Sequence, residues 1–290
     1  MQSYYLIGSP IAHSSSPAMM NYTFRRLGID AIYALHEAQA DEVPDAVEWL
    51  KSRGASGWNV TMPDKQAMLS LCDELSTASR IGGSVNTVKN DNGRLYGYTT
   101  DGIGFLSALG QYGIRLNGRK LTLLGSGGAA SAILIQAALD GAGEIAVYCN
   151  RPSSRQHVEE IAEKLAPHSR TVIRIRSYHD PEQLRADLGG STVLANGTNV
   201  GMAGSPHPEE SLIPDSTYLH PGLFVYDIIY HPACTPLLTQ ARFAGCRCSN
   251  GLSMLIGQGA ASFHIWTGRE MPVDEVAAYL SSPTPSPDLL

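Results

Sequence analysis

The 290-residue sequence predicts an α/β protein of two domains, an N-terminal α/β domain and a second domain built on a doubly wound parallel sheet. Three observations predict it. Strand-like and helix-like stretches alternate from Tyr4 onward through the first part of the chain. A second strand–helix–strand series starts near Lys120. The glycine-rich run LLGSGGAAS stands between the first strand and first helix of that series.

In the first domain, the apolar run at residues 4–7 reads as a strand and leads into GSPIAHSSSP, a hydroxyl-rich loop ending at Pro17. That proline opens a helix over 18–27, because its fixed φ and missing N–H suit a first helical position. AIYALHEA (31–38) reads as a strand, DEVPDAVEWLKSRG (41–54) as an amphipathic helix closed by Gly54, and GWNV (57–60) as a strand. DKQAMLSLCDEL (64–75) reads as a further helix. SVNTVKNDNGRLYGYT is a hairpin signal with Asp91, Asn92 and Gly93 at its turn. In the second domain KLTLLG, EIAVYCN, TVIRI, STVLANGT and LFVYDIIY read as strands with polar or helical connections, which lays them parallel. SGGAASAILIQAAL is a helix opened by glycines. The tail SSPTPSPDLL is Pro/Ser-rich and is expected to be disordered.

Composition narrows the function. With 43% hydrophobic and 17% charged residues, the chain can fill a sizeable core. A formal charge of −6 with scattered Lys and Arg argues against a nucleic-acid surface. No apolar run reaches the length of a membrane span, and MQSYYLIGSPIAHS has neither the basic start nor the apolar stretch of a signal peptide. Cys72, Cys149, Cys234, Cys246 and Cys248 lack C-x-x-C spacing, and the histidines lack ligand spacing. A disulfide framework and a metal site are therefore not expected, and a cytoplasmic location is.

Gly125, Ser126, Gly127, Gly128 and Ala129 form the glycine loop, with Ala130 where the third small residue of a dinucleotide fingerprint falls. Such glycines let a pyrophosphate approach a helix N-terminus, whose free N–H groups favour anions. A Rossmann-type NAD(P)-binding domain is the expectation. After the next strand the chain reads CNRPSSR, with Asn150, Arg151 and Arg155 and no acid before Glu159. An acid there would hold a ribose 2′-hydroxyl, whereas arginines suit a 2′-phosphate, so NADP is favoured and NAD stays open.

The chain resembles the shikimate/quinate dehydrogenase family from Tyr4 to about Glu275. The carriers are GSPIAHSSSP, NVTMPDK, SVNTV, GYTTDGIGF, GSGGAAS, NGTNVGM, DIIYHP and GLSMLIGQGAASFHIWTG, in the family's order. NGTNVGM and LHPGLFV are closer to the quinate/shikimate branch. The resemblance implies that Ser14, Ser16, Thr61, Asn86, Tyr230 and Gln258 bind substrate and that Lys65 and Asp101 form the reactive pair. It implies that Gly125 to Ala129, Asn150, Arg151, Arg155, Thr198, Ile228 and Gly251 line the cofactor. It also implies a substrate domain of residues 1–104 plus 253–290, a cofactor domain of 105–252, and a helix after Gly251 that returns to the first domain. Thr99, Met20, Asn199 and Asn250 depart from the family's common residues.

The chemistry agrees with that transfer. A hydroxylated, carboxylated ring needs many short hydrogen-bonding partners, and Ser14 and Ser16 would offer two hydroxyls to the carboxylate on a turn fixed by Pro17. Oxidising a secondary alcohol needs removal of the hydroxyl proton, the nucleotide taking the hydride. A free lysine is a poor base at neutral pH; desolvation lowers its pKa and a neighbouring carboxylate raises it. Lys65 then serves as acid, base or positioning group, with Asp101 orienting it. The expected substrates are shikimate and 3-dehydroshikimate, with quinate open, and the state monomer or homodimer. A ligand sensor, or a dehydrogenase for a related hydroxy acid such as an aminoshikimate, are the competing readings.

Overall fold

The computed structural model describes residues 1–61 and 65–282. The chain separates into two compact units, one formed by Met1–Gly104 with the stretch from Ile256 onward, the other by Phe105–Leu255.

The first unit runs β1 (Gln2–Gly8), α1 (Ser16–Arg26), β2 (Ala31–Glu37), α2 (Val43–Ser52), β3 (Gly57–Val60), a 3-10 turn (Ala67–Leu71), β4 (Glu74–Leu75), α3 (Thr77–Gly82), β5 (Thr87–Asp91) and β6 (Arg94–Tyr98). Its six-stranded sheet has the order β2-β1-β3-β5-β6-β4. β1 lies parallel to β2 and β3, and β5 is antiparallel to β3 and β6. Ile7, Trp58, Val60 and Val88 pack with Val43, Val47 and Leu50 of α2, the apolar stripe that its sequence spacing predicts. Pro17 lies in the first turn of α1. The β5–β6 hairpin closes on Asn92 and Gly93, both at positive φ, the conformation that a two-residue primed turn requires.

One expectation fails here. Of the helix expected over 64–75, residue 64 lies outside the described residues, and residues 65–75 hold only the 3-10 turn and then β4, which pairs with β6. Asp73 is drawn to the sheet edge, its N–H donating to Leu95 O at 2.9 Å and its carboxylate accepting from Leu95 N at 2.7 Å. Sheet pairing outcompetes local helix propensity in so short a run.

The second unit continues with α4 (Asp101–Gln111, whose first residues belong to the first unit), β7 (Lys120–Leu124), α5 (Gly128–Leu139), β8 (Glu144–Tyr148), α6 (Pro152–Leu165), β9 (Val172–Arg176), α7 (Pro181–Gly189), β10 (Val193–Asn196), β11 (Phe224–Asp227), α8 (Pro236–Phe243), β12 (Arg247–Ser249) and the start of α9 (Leu252–Thr267). Every ladder is parallel and the order is β12-β11-β10-β7-β8-β9. This is the doubly wound order in which the winding of the strands switches side between β7 and β10, where ligands settle at the carboxyl ends of the strands. Leu124, Tyr148, Leu194, Val225 and Leu237 belong to its core.

α9 carries on into the first unit, where Ser262 meets Asn59 and the Trp266 indole N–H donates to Val88 O at 2.9 Å. α10 (Val273–Ser281) follows. Ser281, placed in the disordered tail by composition, is the last residue of α10; residues 283–290 of that tail lie outside the described residues. Among the described residues, no helix is long and apolar enough to cross a membrane, and no group of three His, Cys, Asp or Glu is placed to hold a metal ion.

Candidate active site

NVTMPDK begins on β3 and ends beside the 3-10 turn; its central residues 62–64 lie outside the described residues. Lys65 is anchored through its carbonyl, which accepts from Val85 N at 2.9 Å. Its Nζ reaches Asp101 Oδ2 at 2.6 Å, with the two side chains 28% and 17% exposed. Asp101 is the first residue of α4, where the helix N-terminus favours a carboxylate. Asn86 Nδ2 donates to its other oxygen at 2.9 Å.

Asn86 cannot flip. Its Oδ1 accepts from Thr100 N at 2.9 Å, Thr100 Oγ1 at 3.1 Å and Thr87 Oγ1 at 3.0 Å, so its NH₂ must face Asp101. Behind it, Asn59 Nδ2 donates to Thr87 Oγ1 and to Ser262 Oγ, each at 3.0 Å, and Asn59 Oδ1 accepts from Tyr33 Oη at 2.8 Å. These side chains are buried, so their satisfied bonds fix one arrangement. Asn59, Thr87, Thr100 and Ser262 are the residues that sequence reasoning missed, although all four stood in the quoted motifs NVTMPDK, SVNTV, GYTTDGIGF and GLSMLIGQGAASFHIWTG.

The other substrate candidates are spread along the chain. Ser14 Oγ accepts from Ser16 N at 3.2 Å, so these two meet, and Ser16 is buried. Thr61 is tied to β1 by its N–H, which donates to Ile7 O at 2.9 Å. Gln258 lies on α9 within the first unit, its carbonyl accepting from Ser262 Oγ at 3.0 Å. Tyr230 belongs to the second unit, after β11, and is 40% exposed.

The second unit gathers the cofactor candidates at the carboxyl ends of its strands. Gly125 has φ +99°, and a Cβ there would stand 2.6 Å from Thr198 Cγ2, so the β7 and β10 ends meet too closely for a side chain. Ala130 packs its Cβ where a Cβ on Gly197 would lie, at 2.7 Å, which gives the third small residue of the fingerprint its reason. Gly127 precedes α5 with no side-chain cap, leaving the first-turn amides open to an anion. Among the described residues the buried Tyr178 hydroxyl has no hydrogen-bond partner; it lies beside the Gly125 amide, whose hydrogen is already given to Tyr148 O at 2.9 Å. Uncapped amides and a cradle that a Cβ would fill fit a dinucleotide pyrophosphate.

Arg151 stands at the N-terminus of α6 and Arg155 one turn on. Among the described residues neither is paired with a carboxylate, so both can meet an anion. Asn150 is already engaged: its Oδ1 accepts from Tyr178 N at 2.9 Å and Ser177 Oγ at 3.1 Å. Ile228 N donates to Asn196 O at 3.1 Å, and a Cβ on Gly251 would fall 1.8 Å from Ile228 O. Gly251 is therefore a glycine because the β11 loop passes against it.

A doubly wound sheet with such a loop, in one chain with a unit holding a lysine–carboxylate pair, defines the class of pyridine-nucleotide-dependent oxidoreductases. Models of the shikimate dehydrogenase substrate binding domain and of the shikimate 5′-dehydrogenase C-terminal domain match residues 6–88 and 251–278. The chain is 42% identical to a shikimate dehydrogenase (NADP(+)) of Listeria innocua, over 95% of its length and 94% of the relative's. It is 38% identical to a quinate/shikimate dehydrogenase of Escherichia coli, over 93% of each. A crystal structure of shikimate 5-dehydrogenase from Listeria monocytogenes in complex with shikimate and NAD superposes with a TM-score of 0.92 at 41% identity, covering 97% of this chain and 96% of that one. The protein belongs to the shikimate dehydrogenase family.

Proposed function

We propose that this protein is a shikimate dehydrogenase, interconverting shikimate and 3-dehydroshikimate with NADP, that NAD is a weaker cofactor, and that quinate is a second substrate. The observation that carries the reading is the partly buried Lys65–Asp101 pair, locked by an Asn86 that cannot turn. The relatives' names point the same way, at 42% identity for the NADP(+) enzyme and 38% for the quinate/shikimate one.

In this reading Ser14 and Ser16 hold the ring carboxylate, while Thr61, Asn86, Tyr230 and Gln258 take its hydroxyls. When bound, the nicotinamide supplies the hydride acceptor or donor. Lys65 handles the remaining proton: its ammonium, aimed by Asp101, donates to the ketone oxygen as the alcohol forms, and it takes the hydroxyl proton in the reverse direction. Asp101 holds the ammonium through the step, and Asn86, fixed from behind, keeps Asp101 from turning away. Gly125 to Ala129 with the first turn of α5 bind the pyrophosphate, Arg151 and Arg155 the 2′-phosphate, and Thr198, Ile228 and Gly251 the nicotinamide end.

Steady-state assays of shikimate and quinate, each with NADP and with NAD, test it. Turnover of shikimate with a lower KM for NADP is expected, and no turnover in any of the four combinations overturns the reading.

A further inference from the structure

We infer that Asp227, at the carboxyl end of β11, is a positioning residue that fixes the two loops carrying Thr198 and Ile228, an inference resting on the reading of this unit as the nucleotide-binding one. Asp227 is fully buried. Its Oδ1 accepts from Asn196 Nδ2 at 3.0 Å and Ile229 N at 3.1 Å, and its Oδ2 accepts from Thr235 Oγ1 at 2.6 Å. One carboxylate thus ties together the ends of β10 and β11 and the N-terminus of α8, where Thr235 is the capping residue.

The tie to Asn196 helps to hold the orientation of its amide. Asn196 Oδ1 accepts from Thr198 N at 3.1 Å and Thr198 Oγ1 at 2.7 Å, and Thr198 Oγ1 in turn accepts from Val200 N at 3.1 Å. A flipped amide would turn Oδ1 toward the carboxylate and NH₂ toward the Thr198 donors, breaking both contacts. Asp227, together with Val200 O, which accepts from the same Nδ2 at 3.3 Å, therefore secures the amide that aims the Thr198 hydroxyl, and Thr198 is the residue against which Gly125 closes. The bond to Ile229 N fixes the next peptide along, which carries the Ile228 carbonyl that lies against Gly251.

The facing groups are Asn196, the Ile229 amide and Thr235, with the Tyr226 phenol adjacent; no cation is among them. Burial pushes the carboxyl up to about 6, against the pull of the Thr235, Ile229 and Asn196 hydrogen bonds. A buried charge without a counter-ion opposes folding. The carboxylate offers what a neutral amide does not, two acceptor oxygens for three donors on three elements.

The test uses the full chain, with Asp227→Asn and Thr235→Val as variants and Thr235→Ser as control. In ligand-free protein, hydrogen exchange is read at the amides of Thr198, Val200 and Ile229, and NADP affinity is read by fluorescence titration alongside kcat and KM. Asp227→Asn is expected to melt no lower than the parent at neutral pH, yet to exchange faster at those amides and bind NADP about tenfold more weakly, with shikimate KM nearly unchanged. Thr235→Val shifts both readouts in the same direction, and Thr235→Ser restores them. Folded Asp227→Asn, or Thr235→Val should the first not fold, with parental exchange and NADP affinity overturns the inference, as does a parent that binds no NADP. A parent that binds NADP but turns over no shikimate removes the proposed function alone, and exchange and affinity still decide the role of Asp227.

Discussion

An ammonium beside a carboxylate contributes little when both are solvated, on the order of 0–1 kcal/mol. Lys65 and Asp101 are more than half withdrawn from solvent, and the second carboxylate oxygen is held by Asn86. The geometry serves orientation rather than stability. Lys65→Met is expected to lower kcat by about 10²–10⁴-fold, with NADP affinity by titration unchanged; turnover near the parental rate would remove Lys65 from the chemistry. The same scale sets the consequence of Gly125→Ala. An alanine at φ +99° is strained and its Cβ meets Thr198 Cγ2 at 2.6 Å, so the variant should bind NADP more weakly by about tenfold or more and melt lower. Both residues were legible as candidates, Lys65 through the family resemblance and Gly125 through the glycine fingerprint. Their supports were not: Tyr33, Asn59 and Ser262 come together across 26 and 203 positions of sequence, and no local pattern marks a hydrogen-bond partner at that range.

At the level of elements, legibility followed burial inside the second sheet, whereas β9, without a fully buried residue, was legible from its β-branched residues. The strands β7, β8, β10 and β11 are continuous apolar runs because both faces of a parallel sheet are covered, and such runs can be read directly. β12, three residues with one exposed, offers no such run and was missed. Residues 67–75 misled because Ala67, Met68, Leu69, Leu71 and Cys72 mimic a helical stripe, while Asp73 joins the sheet edge through its N–H and its carboxylate, both bonded to Leu95, a partner invisible in the local sequence. The N-terminus of α6 carries a testable preference. Arg151 and Arg155 sit one turn apart with no acidic residue in that first turn, so the double change to alanine should shift the ratio of kcat/KM for NADP over NAD toward NAD by about 10–100-fold. An unchanged ratio would mean that the 2′-phosphate is not recognised there.

For the molecule as a whole, each unit closes its own sheet over its own core, and two buried aspartates give the second unit opposed responses to pH. Asp187 of α7 bonds Lys120 Nζ at 2.7 Å, Tyr148 Oη at 2.8 Å and Arg176 Nε at 3.1 Å, joining the helix to β7, β8 and β9. Burial would push its carboxyl up, but the bonds from Lys120 and Tyr148 and the charges of Lys120 and Arg176 outweigh it and hold the pKa below the ordinary carboxylate value. Its contribution is therefore present at neutral pH and lost only as acid passes below the unfolded value, about 3.9. Asp227 has the opposite sign: with its carboxyl at about 6, the folded state binds its proton first, so its burden on stability grows as pH rises from the unfolded value through 6. Thermal unfolding of variants against the parent separates the two. Asp187→Asn should lose on the order of 2 kcal/mol at neutral pH, discounted because Lys120 and Arg176 are 22% and 28% exposed, and the deficit should persist at pH about 5. Asp227→Asn should gain on the parent as pH rises across the same interval. A deficit in Asp187→Asn that already disappears by mildly acidic pH would show that its carboxylate is not held by those three partners.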